Sequence, residues 1–508
     1  MKATKIFMMA ALALMTAACS SDDNDIAQQP AEQPANGEIT ITATIDSNDG
    51  ATTRALGIDG SNIASMWADT DEFAILFNDG SDNIKRTATV SSINGTTVTI
   101  TFTIPQTLAN NTACTIVYPA SAANATNTGA DVATALATQN GAIATTPEVR
   151  VGTATIDKTN HSLSSVSKLA AQNAIFKFTL KDIAGTSNKA ATQFIVSNAS
   201  GDVLTTVTPA SATNELYVAL PALAVGTYWF NATVGGAPYI AKAMVNTATT
   251  AGKFYQTQVN MATLGDLMAA NGKFYADAAA ITAASTTAIG VIAYLGTDNF
   301  TENGTTVGGN TFAGHGLVLC LKNAAEGAAA QWSSVTTAFE FGEDAKVTDA
   351  NGLKRTTSVS GYTNTKTLAE KTDAATKYKA AYAAKNYAGL TAPAGTTGWF
   401  LPSAQQWVKM QEGLGGLTES DIVWGSWFNN DHSAATAWET ALAKAGAGNS
   451  DSMIPYLWYW SSSEYSAGST VCLGVDATGT GVGYGFRWIN NLKGPTSDYN
   501  RVRPVLAF

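Results

Sequence analysis

The stretch ITITATIDSNDGATTRALG, residues 39–57, decides the fold of this chain. Its first seven residues alternate apolar and polar side chains, which predicts a half-buried β-strand. A polar turn follows and carries Arg54, with Ala55 next in the chain. Between Cys19 and Arg54 there are seven carboxylates and no other lysine or arginine. The stretch therefore predicts a pairing strand followed by an exposed, isolated cation, although an ordinary solvated loop arginine would give the same pattern.

The first residues of the chain have the features of an export signal. MKATKIFMMAALALMTAACSS has two lysines, an apolar run and small residues before Cys19. That run is too short for a permanent membrane span, so we expect a signal peptide over residues 1–18. The residues before Cys19 resemble a bacterial lipobox, with Thr16 where that motif usually has leucine. The resemblance implies acylation of the Cys19 thiol, with chains such as palmitate; cleavage beside an ordinary cysteine is the alternative.

Residues 19–36 are acidic and rich in proline, glutamine and alanine, and they predict a disordered tether. Once the two leader lysines are removed, 27 basic residues face 39 acidic ones. The resulting charge of −12 makes nucleic acid a poor partner for the body of the protein.

Two β units are predicted after the tether. Residues 37–160 read as strand after strand, with Asn94-Gly95 as a hairpin turn. Residues 161–262 repeat this pattern, with Gly235-Gly236 as a second tight turn. Each unit has about the size of one β-sandwich.

The region from residue 263 to residue 508 has a different character. Nine of the eleven tryptophans lie beyond residue 330. Ser403 with Gln406 three residues later predicts a capped helix, and the alanine-rich segment from Thr367 predicts another. We therefore expect a mainly β protein: two β-sandwich domains followed by an α+β domain.

No catalytic or metal-binding constellation is recognisable in the sequence. The three histidines are His161, His315 and His432, and none lies at metal-ligand spacing from another histidine or a cysteine. His315 stands between two glycines before an apolar strand and is expected to be a turn or packing residue. Cys320 and Cys472 are compatible with a disulfide bond without requiring one. We predict no metal, no cofactor and no enzymatic activity.

The first half of the chain resembles the fimbrillins of the Bacteroidetes. The resemblance rests on the lipobox, the acidic tether, ITITATI, TTRALG, MWADTDEFAI and HSLSSVSKLAAQNAIFKFTL, in that order up to about Met261. It implies two β-sandwich domains secreted as an outer-membrane lipoprotein. It also implies that a trypsin-like outer-membrane protease cuts the Arg54-Ala55 bond and releases the first strand, so that a strand donated by another fimbrial subunit fills the groove.

The last 240 residues or so resemble the Trp-rich module of Bacteroidetes and Fibrobacter surface proteins. The phrases that carry this resemblance are GHGLVLCLKNAAEGAAAQWSS, GTTGWFLPSAQQW, YWSSSEYS and RVRPVLAF. The module is related to C-type-lectin-like and formylglycine-generating-enzyme-like folds, which implies a binding platform. Trp424, Trp427 and Trp438 are candidates for stacking on a glycan or a protein of a host or bacterial surface, and an aromatic core is the alternative for each.

These features predict a minor or tip subunit of a surface fimbria with an adhesin head over residues 263–508. A stalk subunit must give a donor strand, whereas VRPVLAF reads as the last strand of its own domain. Two alternatives remain open at this stage. One is a monomeric surface lipoprotein that binds glycan, and the other is a formylglycine-generating-type enzyme that depends on Cys320 and Cys472.

Overall fold

The computed structural model describes most of the chain. The described residues are 37–46, 57–59, 62–64, 67–95, 97–297, 300, 306–307, 310–335, 337–341, 346–348, 354–418, 433–453, 457–477, 484–494 and 500–508. Cys19, Arg54, Ala55, Trp424 and Trp427 lie outside the described residues, and so do the predicted signal peptide and tether.

The first β unit is one sheet that closes on itself. Its strands and neighbouring elements are β1 (Glu38–Asp46), β2 (Gly57–Asp59), β3 (Asn62–Ala64), β4 (Glu72–Asn78), β5 (Asn83–Asn94), β6 (Thr97–Pro105), β7 (Thr112–Tyr118), α1 (Val132–Leu136), β8 (Thr138–Gln139), β9 (Arg150–Asp157), β10 (Ser162–Ser164) and β11 (Ala170–Ala171). The order in the sheet is β10-β1-β6-β5-β4-β7-β9-β11, and β10 also pairs with β9. The sheet is therefore continuous around an apolar core that includes Ile41, Phe73 and Ile100.

The second β unit is an eight-stranded sheet around its own aromatic core. Its strands are β12 (Asn173–Asp182), β13 (Ala191–Asn198), β14 (Val203–Val207), β15 (Glu215–Pro221), β16 (Gly226–Val234), β17 (Ala237–Val245) and β18 (Phe254–Thr263). Strand β8 from the preceding segment is the eighth member and pairs with β14. Phe178, Phe194 and Phe230 from three strands meet in this core with ring centroids 5.3–5.9 Å apart.

The third region is α+β and contains two five-stranded sheets. Its elements are β19 (Leu267–Ala269), β20 (Phe274–Tyr275), α2 (Ala278–Ala283), β21 (Ala288–Leu295), β22 (Thr306–Val307), β23 (Asn310–Thr311), β24 (Gly316–Cys320), β25 (Ala325–Glu326), β26 (Lys346–Thr348), β27 (Lys354–Thr356), α3 (Gly361–Ala369), α4 (Ala374–Lys377), α5 (Lys379–Lys385), α6 (Ala404–Gly413), α7 (Ser433–Ala443), β28 (Leu457–Ser466), β29 (Ser469–Ala477), β30 (Tyr484–Leu492), β31 (Asn500–Val502) and β32 (Val505–Ala507). One sheet has the order β20-β19-β21-β24-β32 and the other β25-β31-β28-β29-β30. The mainly β fold class is thereby confirmed.

The tight turns and the helix cap predicted from the sequence are confirmed. Asn94 pairs with Thr97 across a turn in which Gly95 has a φ of +61°. Gly235 and Gly236 connect β16 to β17 with φ values of +57° and +83°, the left-handed region that a two-residue hairpin turn requires.

Helix α6 begins with the predicted capping box. The Ser403 hydroxyl accepts from the Gln406 N–H, and the Gln406 side chain accepts from the Ser403 N–H. The alanine-rich segment from Thr367 is helical in pieces, since it spans the end of α3, then α4 and α5.

The boundary that we predicted at residue 160 is displaced in the structure. Strand β10 forms a hairpin with β9, and β11 also pairs with β9, so the first sheet extends to Ala171. The polar residues around His161, which has a φ of +51°, form the turn of that hairpin and not a link between domains. The change from the second sheet to the third region falls between Thr263 and Leu267, next to the predicted residue 262.

Candidate functional site

Strand β1 is held mainly along one of its two edges. It pairs antiparallel with β6 through nine consecutive residues, from Glu38 opposite Pro105 to Asp46 opposite Thr97. On its other edge, β1 meets β10 at a single parallel pair, Thr42 with Ser162. The Thr42 N–H donates to the His161 carbonyl at 3.0 Å. The first sheet therefore closes at β1, through its short pairing with β10.

The side chains of β1 alternate as its sequence predicts. Ile41, Ala43 and Ile45 are 0%, 5% and 1% exposed and belong to the core of the first unit. The threonines between them face solvent. Full burial of an isoleucine side chain stabilises a fold by about 1.5–3 kcal/mol, so Ile41 and Ile45 together contribute about 3–6 kcal/mol. These apolar contacts, with the β6 ladder, hold the strand.

Few polar interactions reinforce β1 at its start. The Gln106 N–H donates to the Gly37 carbonyl at 2.8 Å. Arg86 lies 3.4 Å from the Glu38 carboxylate, and each side chain is 34% exposed. Such an exposed pair is worth little. Loss of β1 would therefore leave the unpaired backbone of β6 beside a slot shaped for small and branched apolar side chains.

The predicted scissile bond falls in the chain between β1 and β2. Strand β1 ends at Asp46, and the next residue that the structure describes is Gly57. Strands β2 and β3 pair with each other as a separate two-stranded hairpin. Among the described strands of the first sheet, only β1 precedes Arg54, so a cut there would separate β1 from the rest of its sheet.

Six of the seven arginines of this chain lie in β-strands or are buried. Besides Arg54 there are six, at positions 86, 150, 355, 487, 501 and 503. Five of these lie within β5, β9, β27, β30 and β31. The sixth, Arg503, is 0% exposed. Because a protease needs extended, unpaired chain, none of the six is a good substrate in the folded protein.

The residues RVRPVLAF are built into the third region, which confirms that part of the sequence analysis. Strand β32 pairs antiparallel with β24, with Leu506 opposite Val318. Phe508 is 2% exposed, and its carbonyl accepts from the His315 N–H at 2.6 Å. This strand is thus occupied within its own sheet.

Trp438, predicted as a candidate for ligand stacking, is a core residue. It is 1% exposed and stacks on Trp407 with ring centroids 6.0 Å apart. At this burial its ring has no face available to a ligand, so the prediction is wrong for Trp438. Trp332, Trp399 and Trp460 are also at most 3% exposed. These buried tryptophans therefore serve the packing of the third region.

The cysteines do not form the reactive pair that the enzymatic alternative needs. Cys320 and Cys472 are both free and fully buried, and they belong to two different apolar clusters. Burial raises the pKa of Cys320 to about 12 and that of Cys472 well above its ordinary value. Thiolate chemistry is therefore suppressed at both positions. Among the described residues, no three His, Cys, Asp or Glu side chains cluster as metal ligands.

A buried ion pair in the third region was not foreseen. The Lys493 ammonium hydrogen-bonds to the Glu464 carboxylate, and both side chains are 0% exposed. Glu464 also accepts from the Glu340 and Phe341 N–H groups at 2.9–3.0 Å. Lys493 donates to the Ala338 carbonyl at 3.0 Å. The pair therefore fixes the segment 338–341 against the second sheet of the region.

His315 has the packing role that its sequence context predicts. It is 3% exposed, and its ring lies 4.1 Å from the ring of Trp229 in the second unit. Burial and the nearby Lys242 ammonium lower its pKa to about 4, so the imidazole is neutral at physiological pH. No helix among the described residues is long and apolar enough to span a membrane.

Comparisons with known proteins give the following result. No protein-family model and no curated protein matches this chain. Among solved structures, the chain is similar to a fimbrial protein from Bacteroides ovatus, with 14% identity, a TM-score of 0.33, and coverage of 94% of this chain and 100% of that one. It is also similar to a fimbrial assembly protein from Parabacteroides distasonis, with 14% identity, a TM-score of 0.24, and coverage of 44% and 90%. A shaft pilin from Lactobacillus rhamnosus has 15% identity, a TM-score of 0.22, and coverage of 44% and 98%.

These similar structures are fimbrial and pilus proteins, but TM-scores this low carry no argument about the present chain. The mainly β fold rests on its own strands and sheets.

Proposed function

We propose that this protein is a non-enzymatic subunit of a surface fimbria that accepts a donor strand from another subunit and occupies the tip. It is exported as a lipoprotein anchored to the outer membrane through Cys19. A trypsin-like protease cuts the Arg54-Ala55 bond, β1 leaves, and a strand of the neighbouring subunit pairs with β6. The third region, residues 263–508, is the adhesin head.

The observation that carries the proposal is the attachment of β1. Its edge toward β6 has nine residue pairs and its edge toward β10 has one. A replacement strand with apolar residues at alternate positions would restore the ladder and refill the space of Ile41, Ala43 and Ile45. Exchange therefore conserves most of the stabilising contacts, which makes the assembled state stable.

The distribution of basic residues supports a cut at Arg54. The mature chain from Cys19 to Ile84 has no other lysine or arginine. A protease that reads a basic residue can act in this segment at that bond alone. A cut at Lys85 or Arg86, which lie in β5, would have to open the ladder in which both residues pair with β4.

The tip position rests on β32. Donation would require this strand to leave β24, where it forms an edge of a five-stranded sheet. It would also remove Leu506 and Phe508 from the apolar cluster that joins the second and third units. While it is engaged in this way, β32 is not free to pair with a neighbouring subunit.

The experiment follows incorporation of the protein into fimbriae on cells. Arg54→Ala should leave the protein as a lipidated precursor outside the fimbria, whereas Thr53→Ala, which keeps the arginine, should be cut and incorporated normally. Immunogold labelling of the third region should mark fimbrial ends.

Three results would count against the proposal. Incorporation of Arg54→Ala would exclude the cleavage step, and labelling along the shaft would exclude the tip position. A protein that keeps Cys19 and never joins a fimbria would instead favour the monomeric glycan-binding lipoprotein.

A further inference from the structure

A cleft of about 460 Å³ lies between the second unit and the third region. One wall is the outer surface of β13, β16 and β17. The other consists of the segments 295–297 and 312–315, which flank β21 and β24. Small-molecule sites in proteins typically have volumes of roughly 300–1,000 Å³ and lie preferentially where domains meet. This cleft has room for a mono- or disaccharide.

Four polar side chains that line this cleft have no hydrogen-bond partner among the described residues. Gln193, Ser197, Asn231 and Tyr239 line it, and their side chains make no hydrogen bond to any other described residue. Together they offer two amides and two hydroxyls, each able to donate and to accept. A ligand with several hydroxyl groups would satisfy them.

The base of the cleft adds a buried imidazole. His315 lines the cleft, is 3% exposed, and neither of its ring nitrogens has a hydrogen-bond partner among the described residues. A neutral imidazole has one donor and one acceptor, and a buried polar group without a partner costs free energy. The ring is held in place by Trp229 on one side and by its own backbone bond to Phe508.

The described lining of the cleft favours an uncharged ligand. No aspartate, glutamate, lysine or arginine is among the described residues that line it. A carboxylate or phosphate would lose part of its hydration there without forming an ion pair with any of these lining residues, which is costly. The apolar part of the lining includes Ile195, Leu295 and Phe312, which suit the C–H faces of a sugar ring.

The two walls are fixed relative to each other. Trp229, Ile240 and Ala262 of the second unit share one apolar cluster with residues of the third region, among them Val318 and Leu506. At one end of the cleft the walls are in contact at Gly201 and Ala313. They are so close that a Cβ placed on Gly201 would lie only 2.8 Å from the Ala313 methyl carbon. A preformed cleft spares a ligand the cost of ordering its site.

We propose that this cleft binds an uncharged mono- or disaccharide, with the amides of Gln193 and Asn231 bonded to its hydroxyls and Tyr239 or Phe312 against a ring face. The inference deepens the proposed adhesin role by naming a site and a ligand class. It requires neither a cut at Arg54 nor assembly into a fimbria, so the two proposals can fail separately.

The test uses the uncut protein from Ser20 onward on an array of neutral mono- and disaccharides of glucose, galactose, mannose, fucose and N-acetylglucosamine. Sialylated glycans and short peptides are printed beside them. We expect binding to one or more neutral sugars. Calorimetry then measures the Kd for each sugar that binds. The double variant Gln193→Ala, Asn231→Ala should weaken the affinity by roughly fivefold to tenfold for each side chain removed.

The matched control is Gln256→Ala, an exposed amide on β18 of the same sheet that does not line the cleft. It should bind like the unaltered protein. Both the control and the double variant should unfold at the same temperature as the unaltered protein. Absence of any neutral-sugar signal would overturn the proposal. So would unchanged affinity in the double variant, or binding confined to sialylated glycans or peptides.

Discussion

Replacement of Ile41 by alanine should loosen β1 without affecting the cut at Arg54. Ile41 is 0% exposed and lies in the core of the first unit, whereas Thr44 on the opposite face of the strand is exposed. Truncation of a buried isoleucine to alanine costs about 2–5 kcal/mol, including the cavity that remains. After cleavage, β1 is held without a covalent link, so this cost raises its dissociation constant by roughly thirtyfold to several thousandfold.

The assay cleaves recombinant protein beginning at Ser20 with an arginine-specific protease and follows, by native mass spectrometry, the fraction that keeps residues 20–54. The Ile41→Ala protein should lose the peptide far faster than the unaltered protein. Thr44→Ala should change the dissociation constant by no more than about twofold, because exposed substitutions stay within about 0.5 kcal/mol. Equal retention in the Ile41→Ala and unaltered proteins would refute the idea that inward side chains hold the strand.

Three further predictions concern residues of the third region. His315 takes up its proton near pH 4 in the folded protein and near pH 6.5 in the unfolded chain, so the free energy of unfolding should fall by up to about 3 kcal/mol as the pH is lowered from 6.5 to 4. His315→Gln should flatten this pH dependence in denaturant titrations, and an unchanged dependence would contradict the prediction. Lys493→Met should lower stability by about 3–5 kcal/mol and the double variant with Glu464→Gln by clearly less; equal losses would show that the buried charge is not the cause. Cys320 and Cys472 should resist a thiol reagent until the protein unfolds, and mass spectrometry of labelled native protein would reveal the contrary.

The strands and turns were predictable because their signals are local. The alternation of ITITATI reflects the period of a strand, and the pairs Asn94-Gly95 and Gly235-Gly236 reflect the backbone demands of a turn. The capping box at Ser403 is equally local. Local signals failed at residues 157–162, where a polar hairpin turn has the same composition as a link between domains.

The cleft and the buried ion pair could not be predicted, since both depend on contacts distant in sequence. Gln193 and Asn231 occupy outward positions that look like any solvent-facing residue of a strand, and the opposite wall is formed by the later segments 295–297 and 312–315. Glu464 and Lys493 are 29 residues apart. Trp438 failed for a related reason, because composition cannot distinguish an aromatic core from an aromatic surface.

The N-terminus of this protein in assembled fimbriae shows directly whether the Arg54-Ala55 bond is cut. Fimbriae sheared from cells and purified would be digested, and the N-terminal peptide of this subunit identified by mass spectrometry. We expect a chain that begins at Ala55, without residues 19–54 and without lipid. A chain in the same fimbriae that begins at acylated Cys19 would contradict it.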